Sequence, residues 1–197
     1  MAWTAAAVCL AFVLFFLYDV AGATGRLRPF RLGFAAGCLL LAGTAGWLIW
    51  SAGGRLGTRP VPAVVGGTAA LLFALILIYT LFIVLPFGET YVSEGGAAPL
   101  YTRGVYALCR HPGVLWLIGL TAGLWLAVGT AEAMIFCLLV SILDTAYAAF
   151  QDRWTFPKLF PGYGAYRRAV PFLIPSVRSV RRCVQTLSRK GESNHDL

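Results

Sequence analysis

The sequence predicts an all-α protein, a polytopic membrane helix bundle of about five transmembrane helices. Three observations carry that expectation. Of 197 residues, 59% are hydrophobic and only 12% are charged, whereas charged residues make up about a quarter of a soluble domain. Apolar runs of the length that crosses a bilayer as a helix recur along the chain. The connections between them are rich in Gly, Pro and Arg, the residues that interrupt helices and flank membrane spans. A single membrane domain accounts for the whole length. It divides into an N-terminal three-span part over 1–99, a motif-bearing region with a two-span hairpin over 100–175, and a basic amphipathic tail over 176–197.

The first apolar run covers Ala2 to Leu17. Ala-Gly-Ala at 21–23 has the small-residue look of a signal-peptidase site. No Lys or Arg precedes the run, however, and a signal peptide needs a basic start, so a retained span is expected. GRLRPFR follows, with Arg26, Arg28 and Arg31. The second span runs from about Leu32 to Trp50 and contains Gly33-x-x-x-Gly37, Gly43 and Gly46, read as close-packing positions between helices. A turn-rich connection, SAGGRLGTRPVP, leads to a third span from about Ala63 to Leu85, ended by Pro86. The polar stretch from Phe87 to Pro112 is the longest connection between spans, and long connections often carry function. The fourth span runs from about Gly113 to Val128 with Gly119-x-x-x-Gly123 on it, and the fifth from about Ala133 to Phe150.

Charge sets the expected orientation. The net charge is +8, and nine of the sixteen Lys and Arg residues lie between Gln151 and Leu197. Beside a membrane domain such a cluster reads as a cytoplasmic, lipid-facing tail rather than a nucleic-acid surface. With five spans, the N-terminus then lies outside and the C-terminus in the cytoplasm of a bacterial cytoplasmic membrane. The loop carrying Arg55 and Arg59 faces out, a mild exception to the rule. The five cysteines, Cys9, Cys38, Cys109, Cys137 and Cys183, show no paired spacing. They read as small apolar fillers, with no disulfide framework and no metal site.

The fourth span, about 16 residues at about 1.5 Å each, is about 24 Å long. The turn around Gly129–Glu132 permits only an antiparallel return, so the fifth span ends where the fourth began. That places Arg110, His111 and Pro112 near Gln151, Asp152 and Arg153, about 40 residues later in the chain. Asp144 lies seven residues before Gln151, on the same helix face. An acid at that depth is costly unless paired or hydrated, which makes it a candidate for function or for a structural pair with a hydroxyl or with Arg110. After Arg153, Phe156, Phe160, Tyr163, Tyr166 and Phe172 form an aromatic segment, and Pro157, Pro161, Pro171 and Pro175 exclude one long helix. Val177, Val180, Val184 and Leu187 recur at spacings of three and four among Arg178, Arg181 and Arg182, the pattern of an interfacial amphipathic helix. No strand–GxGxxG–helix unit, P-loop, HExxH, GxSxG or EF-hand is present.

LYTRGVYALCRHP, a two-span hairpin, and QDRWTFPKLFPGYGAYRRAVPFLIP together resemble the isoprenylcysteine carboxyl methyltransferase and phospholipid methyltransferase superfamily. Leu100, Gly104, Tyr106, Arg110, His111 and Pro112 fit its first motif, and Tyr163, Tyr166, Val170, Ile174 and Pro175 its second. The resemblance implies a membrane methyltransferase using S-adenosyl-L-methionine, with a cytosolic-side pocket at the hairpin ends and a lipophilic or small acceptor. It implies cofactor contacts from Tyr106, Arg110, His111, Pro112, Gln151, Asp152, Tyr163 and Tyr166, and catalytic roles for His111, Asp152 and Arg110. Asp144, Val114 and Trp116 are expected at the substrate pocket. Val114 and Trp116 stand where the family keeps Tyr and Gly, and Gln151-Asp152 replaces a glutamate pair.

Methyl transfer from a sulfonium asks mainly for in-line alignment and exclusion of water. A carboxylate acceptor needs no base, whereas a thiol or amine gains from deprotonation, for which His111 or Asp152 is placed. Arg110 suits the cofactor's carboxylate by a bidentate contact. Two other readings remain open at this level. One is a degenerate family member with a structural or partner-binding role. The other is an NADPH-dependent enzyme similar to the sterol reductases, whose usual His-Pro-Asn-Tyr and Trp-x-Gly the stretch HPGVLWLIG lacks.

Overall fold

The computed structural model describes residues 2–26, 30, 32–84 and 100–192, with backbone only at 55 and 188–192. Arg28, Arg31, the expected third-span end at Leu85 and Pro86, and the first half of the polar connection (87–99) lie outside the described residues. Among those described, every regular element is helical and no strand occurs. α1 spans Ala2–Ala23, α2 Gly33–Ala52, the short α3 Arg55–Thr58, and α4 Pro60–Ile78 with a π-helical extension Tyr79–Val84. Then come α5 Val105–Leu108, α6 Pro112–Val128, and α7 Ala131–Phe150 with a π-helical extension Gln151–Thr155. α8 Phe156–Leu159, α9 Tyr163–Ala169 and α10 Val177–Glu192 follow.

Among the described residues, four helices are long and apolar enough to cross a membrane: α1, α2, α4 with its extension, and the continuous helix Ala131–Leu159. α6 is equally apolar but has 17 residues, about 26 Å at helical rise. The outward side chains agree with a lipid environment. Leu39, Trp50, Val61, Val64, Leu71 and Ile142 are all more than half exposed, while Thr44, Thr80 and Thr121 are buried. In water that distribution would be inverted; in lipid the apolar face belongs outside.

α1 runs two turns beyond the expected Leu17, because nothing in Tyr18–Ala23 breaks a helix. As a result Asp19 is a buried residue of the bundle. Pro157 also departs from expectation. It does not end the helix, since the π-helical turn directly before it shifts the bonding to Phe156 N–H donating to Gln151 O. The looser turn accommodates a ring that would clash with a carbonyl in regular α geometry.

The helices pack in a row. α2 lies on α1, α1 on α7, α7 on α6, and α6 most extensively on α4, whereas α2 and α4 form no comparable interface. The α4–α6 contact depends on glycine: a Cβ on Gly66 would come 2.6 Å from the Gly123 carbonyl oxygen, and one on Gly123 would come 2.7 Å from Ala70 N. Gly37 likewise meets Phe15 of α1. Gly43 and Gly46, also read as packing positions, meet nothing within 4 Å. The core joins Val8, Phe12 and Phe15 of α1 to Leu48, Leu124, Val128, Phe136 and Val140.

The α6–α7 hairpin closes as its turn requires. Gly129 takes φ +67° and its N–H donates to Trp125 O at 2.7 Å. Thr130 then caps α7, its hydroxyl accepting from Ala133 N at 3.2 Å.

Candidate functional site

The site is built where the hairpin's two polar ends meet. Before α6 the chain is extended at Cys109, and His111, the residue before the proline, keeps out of helical geometry at φ −124° and ψ 64°. Pro112 then starts the helix, where its missing N–H is no loss. The extended backbone is fastened to the C-terminal segment: Arg110 N–H donates to Pro171 O at 2.9 Å and His111 N–H to Phe172 O at 3.3 Å.

Arg110 and Asp152 form a buried, bidentate ion pair. Nε donates to Oδ1 at 2.6 Å and Nη2 to Oδ2 at 3.1 Å. Nη1 donates to the carbonyls of Arg167 and Val170. Asp152 also accepts from the Tyr163 hydroxyl at 2.7 Å, and Arg167 Nε lies 3.2 Å from Oδ2. Four of the five guanidinium N–H donors are therefore engaged within the protein. A cofactor carboxylate, assigned to Arg110 by the family resemblance, would find no free fork there.

His111 is the reactive remainder. Its ring stacks on Phe156 at 5.5 Å and 9°, and meets the edge of Phe172 at 5.1 Å. Nε2 is 3.5 Å from Asp152 Oδ1, a contact at ion-pair range, and is buried without a hydrogen bond among the described residues. Burial pushes the imidazole below its ordinary value, against the opposing pull of Asp152. The ring is thus neutral near pH 7 and able to exchange a hydrogen bond or a proton. The neighbouring Cys109 thiol is pushed up to about 11 by burial, so it is no nucleophile.

Tyr163 and Tyr166 are buried with Val170. Burial raises both phenols, Tyr163 further through its bond to the Asp152 carboxylate. Tyr166 donates to the Tyr106 carbonyl at 2.7 Å, and the Tyr106 hydroxyl lies 3.4 Å from Thr80 O. α10 packs on α5, with Thr186 Oγ1 accepting from Gly104 N at 2.9 Å. Its Val177, Val180, Val184 and Leu187 stripe faces outward.

A cavity of about 700 Å³ opens beside this cluster, within the range of about 300–1,000 Å³ typical of small-molecule sites. Tyr106, Arg110, His111, Pro112, Val114, Asp144, Gln151, Tyr163 and Tyr166 all line it. Asp152 and Trp116 do not. Asp152 sits behind Arg110, and Trp116 stacks on Phe73 of α4. The larger part of the wall is apolar and comes from α2, α4 and α6, including Leu41, Leu81 and Leu117.

Asp19 was not legible as a site residue, yet it lines the same cavity. Gln151 Nε2 donates to its Oδ2 at 2.7 Å. This explains the amide at 151: a glutamate there would face the Asp19 carboxylate, and like charges at that distance repel. The signal available in the sequence was an acid in helix-compatible chain directly after the first apolar run.

Among the described residues no group of three or more His, Cys, Asp or Glu is placed to hold a metal ion. In comparisons with known proteins, no family model, no curated protein and no solved structure matches this chain.

Proposed function

We propose that this chain is a membrane methyltransferase dependent on S-adenosyl-L-methionine, acting on a lipophilic or small acceptor. One observation carries the reading. A single cavity runs from His111 and the tyrosines at the hairpin ends into an apolar wall inside the bundle, so a polar donor and a hydrophobic acceptor have one compartment to share. Of the motif residues quoted above for the superfamily, Leu100, Tyr106, Arg110, His111, Pro112, Tyr163 and Tyr166 line it, whereas Gly104, Val170, Ile174 and Pro175 do not.

The cofactor fits this site in part. His111 Nε2 is a buried polar atom without a hydrogen bond among the described residues, and Gln151, Tyr106, Tyr163 and Tyr166 line the same cavity as His111. These residues would hold the cofactor, which when bound supplies an activated methyl group. Arg110 and Asp152 act as positioning residues: their ion pair and the carbonyls of Arg167 and Val170 hold the α6 start against the C-terminal segment. The Phe156 and Phe172 rings keep water from His111. Neutral His111 accepts a proton from an acceptor that must lose one.

In the membrane, α6 counts as a fifth crossing, at about 26 Å against a hydrocarbon core of about 30 Å. The basic tail puts the C-terminus and the site on the cytoplasmic side and the N-terminus outside.

The closed Arg110–Asp152 pair favours one rival, a protein that keeps this fold without chemistry. Isothermal titration of the purified protein with S-adenosyl-L-methionine and with NADPH separates them. Binding of the first alone, lost in His111→Ala, is expected. Binding of neither would leave the structural role, and binding of NADPH alone would point to a reductase.

A further inference from the structure

The last helix has three faces, and only one of them packs on the protein. At about 100° per residue, Ser179, Cys183 and Thr186 of α10 share one side. Ser179 and Cys183 are buried, and Thr186 Oγ1 accepts from Gly104 N at 2.9 Å. Beside this face runs the stripe Val177, Val180, Val184 and Leu187, each between 44% and 74% exposed. The third face carries Arg178, Arg181 and Arg182, all exposed. Arg182 donates to Ala169 O at 3.1 Å. Arg178 and Arg181 have no hydrogen-bond or ion-pair partner among the described residues.

The helix therefore packs by its small polar side chains and leaves its apolar ones bare. Three small side chains bury little area, and a helix of 16 residues is marginal by itself in water. The valine stripe gains from a cover outside the bundle, and the charge beside it selects the cover. No Asp or Glu occurs in the sequence from 154 to 191, so this stretch of chain does not neutralise its own arginines. A nucleic acid would meet the arginines and leave the stripe in water. A leaflet of anionic lipid meets both, with the arginines at the phosphates and the stripe in the acyl boundary. Such a surface is close at hand, because α10 packs on α5, and only Cys109, Arg110 and His111 separate α5 from the apolar helix α6.

We propose that α10 docks on an anionic lipid leaflet, and that this contact steadies the polar wall of the cavity. α10 holds that wall at two points. Thr186 holds Gly104, whose φ of +60° starts α5, and α5 carries Tyr106 into the wall. Arg182 holds the carbonyl of Ala169, next to Val170, whose own carbonyl accepts from Arg110. Leaflet charge thus acts on Tyr106 and Arg110 through α10, without touching either. This holds whatever chemistry the cavity performs.

The test is hydrogen–deuterium exchange of the full chain, read by mass spectrometry. Nanodiscs of phosphatidylglycerol are compared with nanodiscs of phosphatidylcholine at one copy per disc. Slower exchange in phosphatidylglycerol is expected for the amides of α10 and for residues 104–108. One basic side chain at an anionic surface contributes about fivefold in affinity. Arg178→Gln combined with Arg181→Gln should therefore cut the protection gained in α10 by up to about 25-fold. Exchange in α1, α2 and α4 should not change. Val180→Asp combined with Val184→Asp should open α10 in both lipids. Equal exchange of α10 in the two lipids leaves the face to a soluble acidic partner and overturns the proposal, as does a lipid effect that survives the arginine variant. A lipid effect on α10 with none at 104–108 overturns the coupling to the cavity. Protection that rises with the number of copies per disc, and not with lipid charge, assigns the face to a second copy of this chain and overturns the proposal too. If the valine variant fails to fold, the arginine variant, altered only on the exposed side, decides alone.

Discussion

Removing Asp152 tests how the site is held together. The side chains of Arg110 and Asp152 are 8% and 5% exposed, so neither charge has water to fall back on. In Asp152→Ala the guanidinium keeps its two carbonyl acceptors but loses both charged contacts, at 2.6 and 3.1 Å. Breaking a buried pair from one side costs about 3–5 kcal/mol. The Tyr163 hydroxyl loses its acceptor too, which adds about 1 kcal/mol. Arg110→Met should cost less, because Asp152 keeps Tyr163 and Arg167. In the double variant no uncompensated guanidinium remains, so its loss should fall short of the sum by about 1.5 kcal/mol or more. The assay is a double-mutant cycle read by equilibrium unfolding in mixed detergent micelles, followed through tryptophan fluorescence. Additivity within about 0.5 kcal/mol would show that the two side chains do not depend on each other. That result would refute the account of Asp152 as the anchor of Arg110.

The remaining expectations concern packing and pH. Gly66→Leu or Gly123→Leu should lower the melting temperature markedly, since each new side chain meets backbone that cannot turn aside and overpacking costs at least about 1–3 kcal/mol. Gly43→Ala, with nothing within 4 Å, should be neutral or slightly stabilising in the same melt. An unchanged melt for Gly123→Leu would contradict the close α4–α6 approach. His111 makes stability depend on pH. Its folded value lies below the unfolded value of about 6.5, so the folded state binds fewer protons between the two. Stability from its neutral form is complete above about 6.5 and falls as pH drops below it, toward the folded value. His111→Gln should flatten the melting temperature across about pH 5 to 7; an equally steep profile would mean that another group sets it.

The apolar runs, the Gly-rich connections and the hairpin turn were enough to read an all-helical membrane bundle. They also sufficed to bring Arg110 and His111 to Asp152 across about 40 residues. Those conclusions follow from local rules, in which helix period, proline geometry and a four-residue turn leave one antiparallel return. Which atoms pair at the junction does not follow from them. Only the packed structure turns Arg110 inward onto Asp152 and two carbonyls, because that choice depends on where Pro171 and Phe172 cross the start of α6. Likewise Gln151 looks like a lost acid in the chain, and becomes a matched donor once α1 carries Asp19 beside it. Asp144 was visible as a charge in an apolar run. That it faces a cavity was decided by the bundle, since α2 stays on α1 and leaves the space before α4 open.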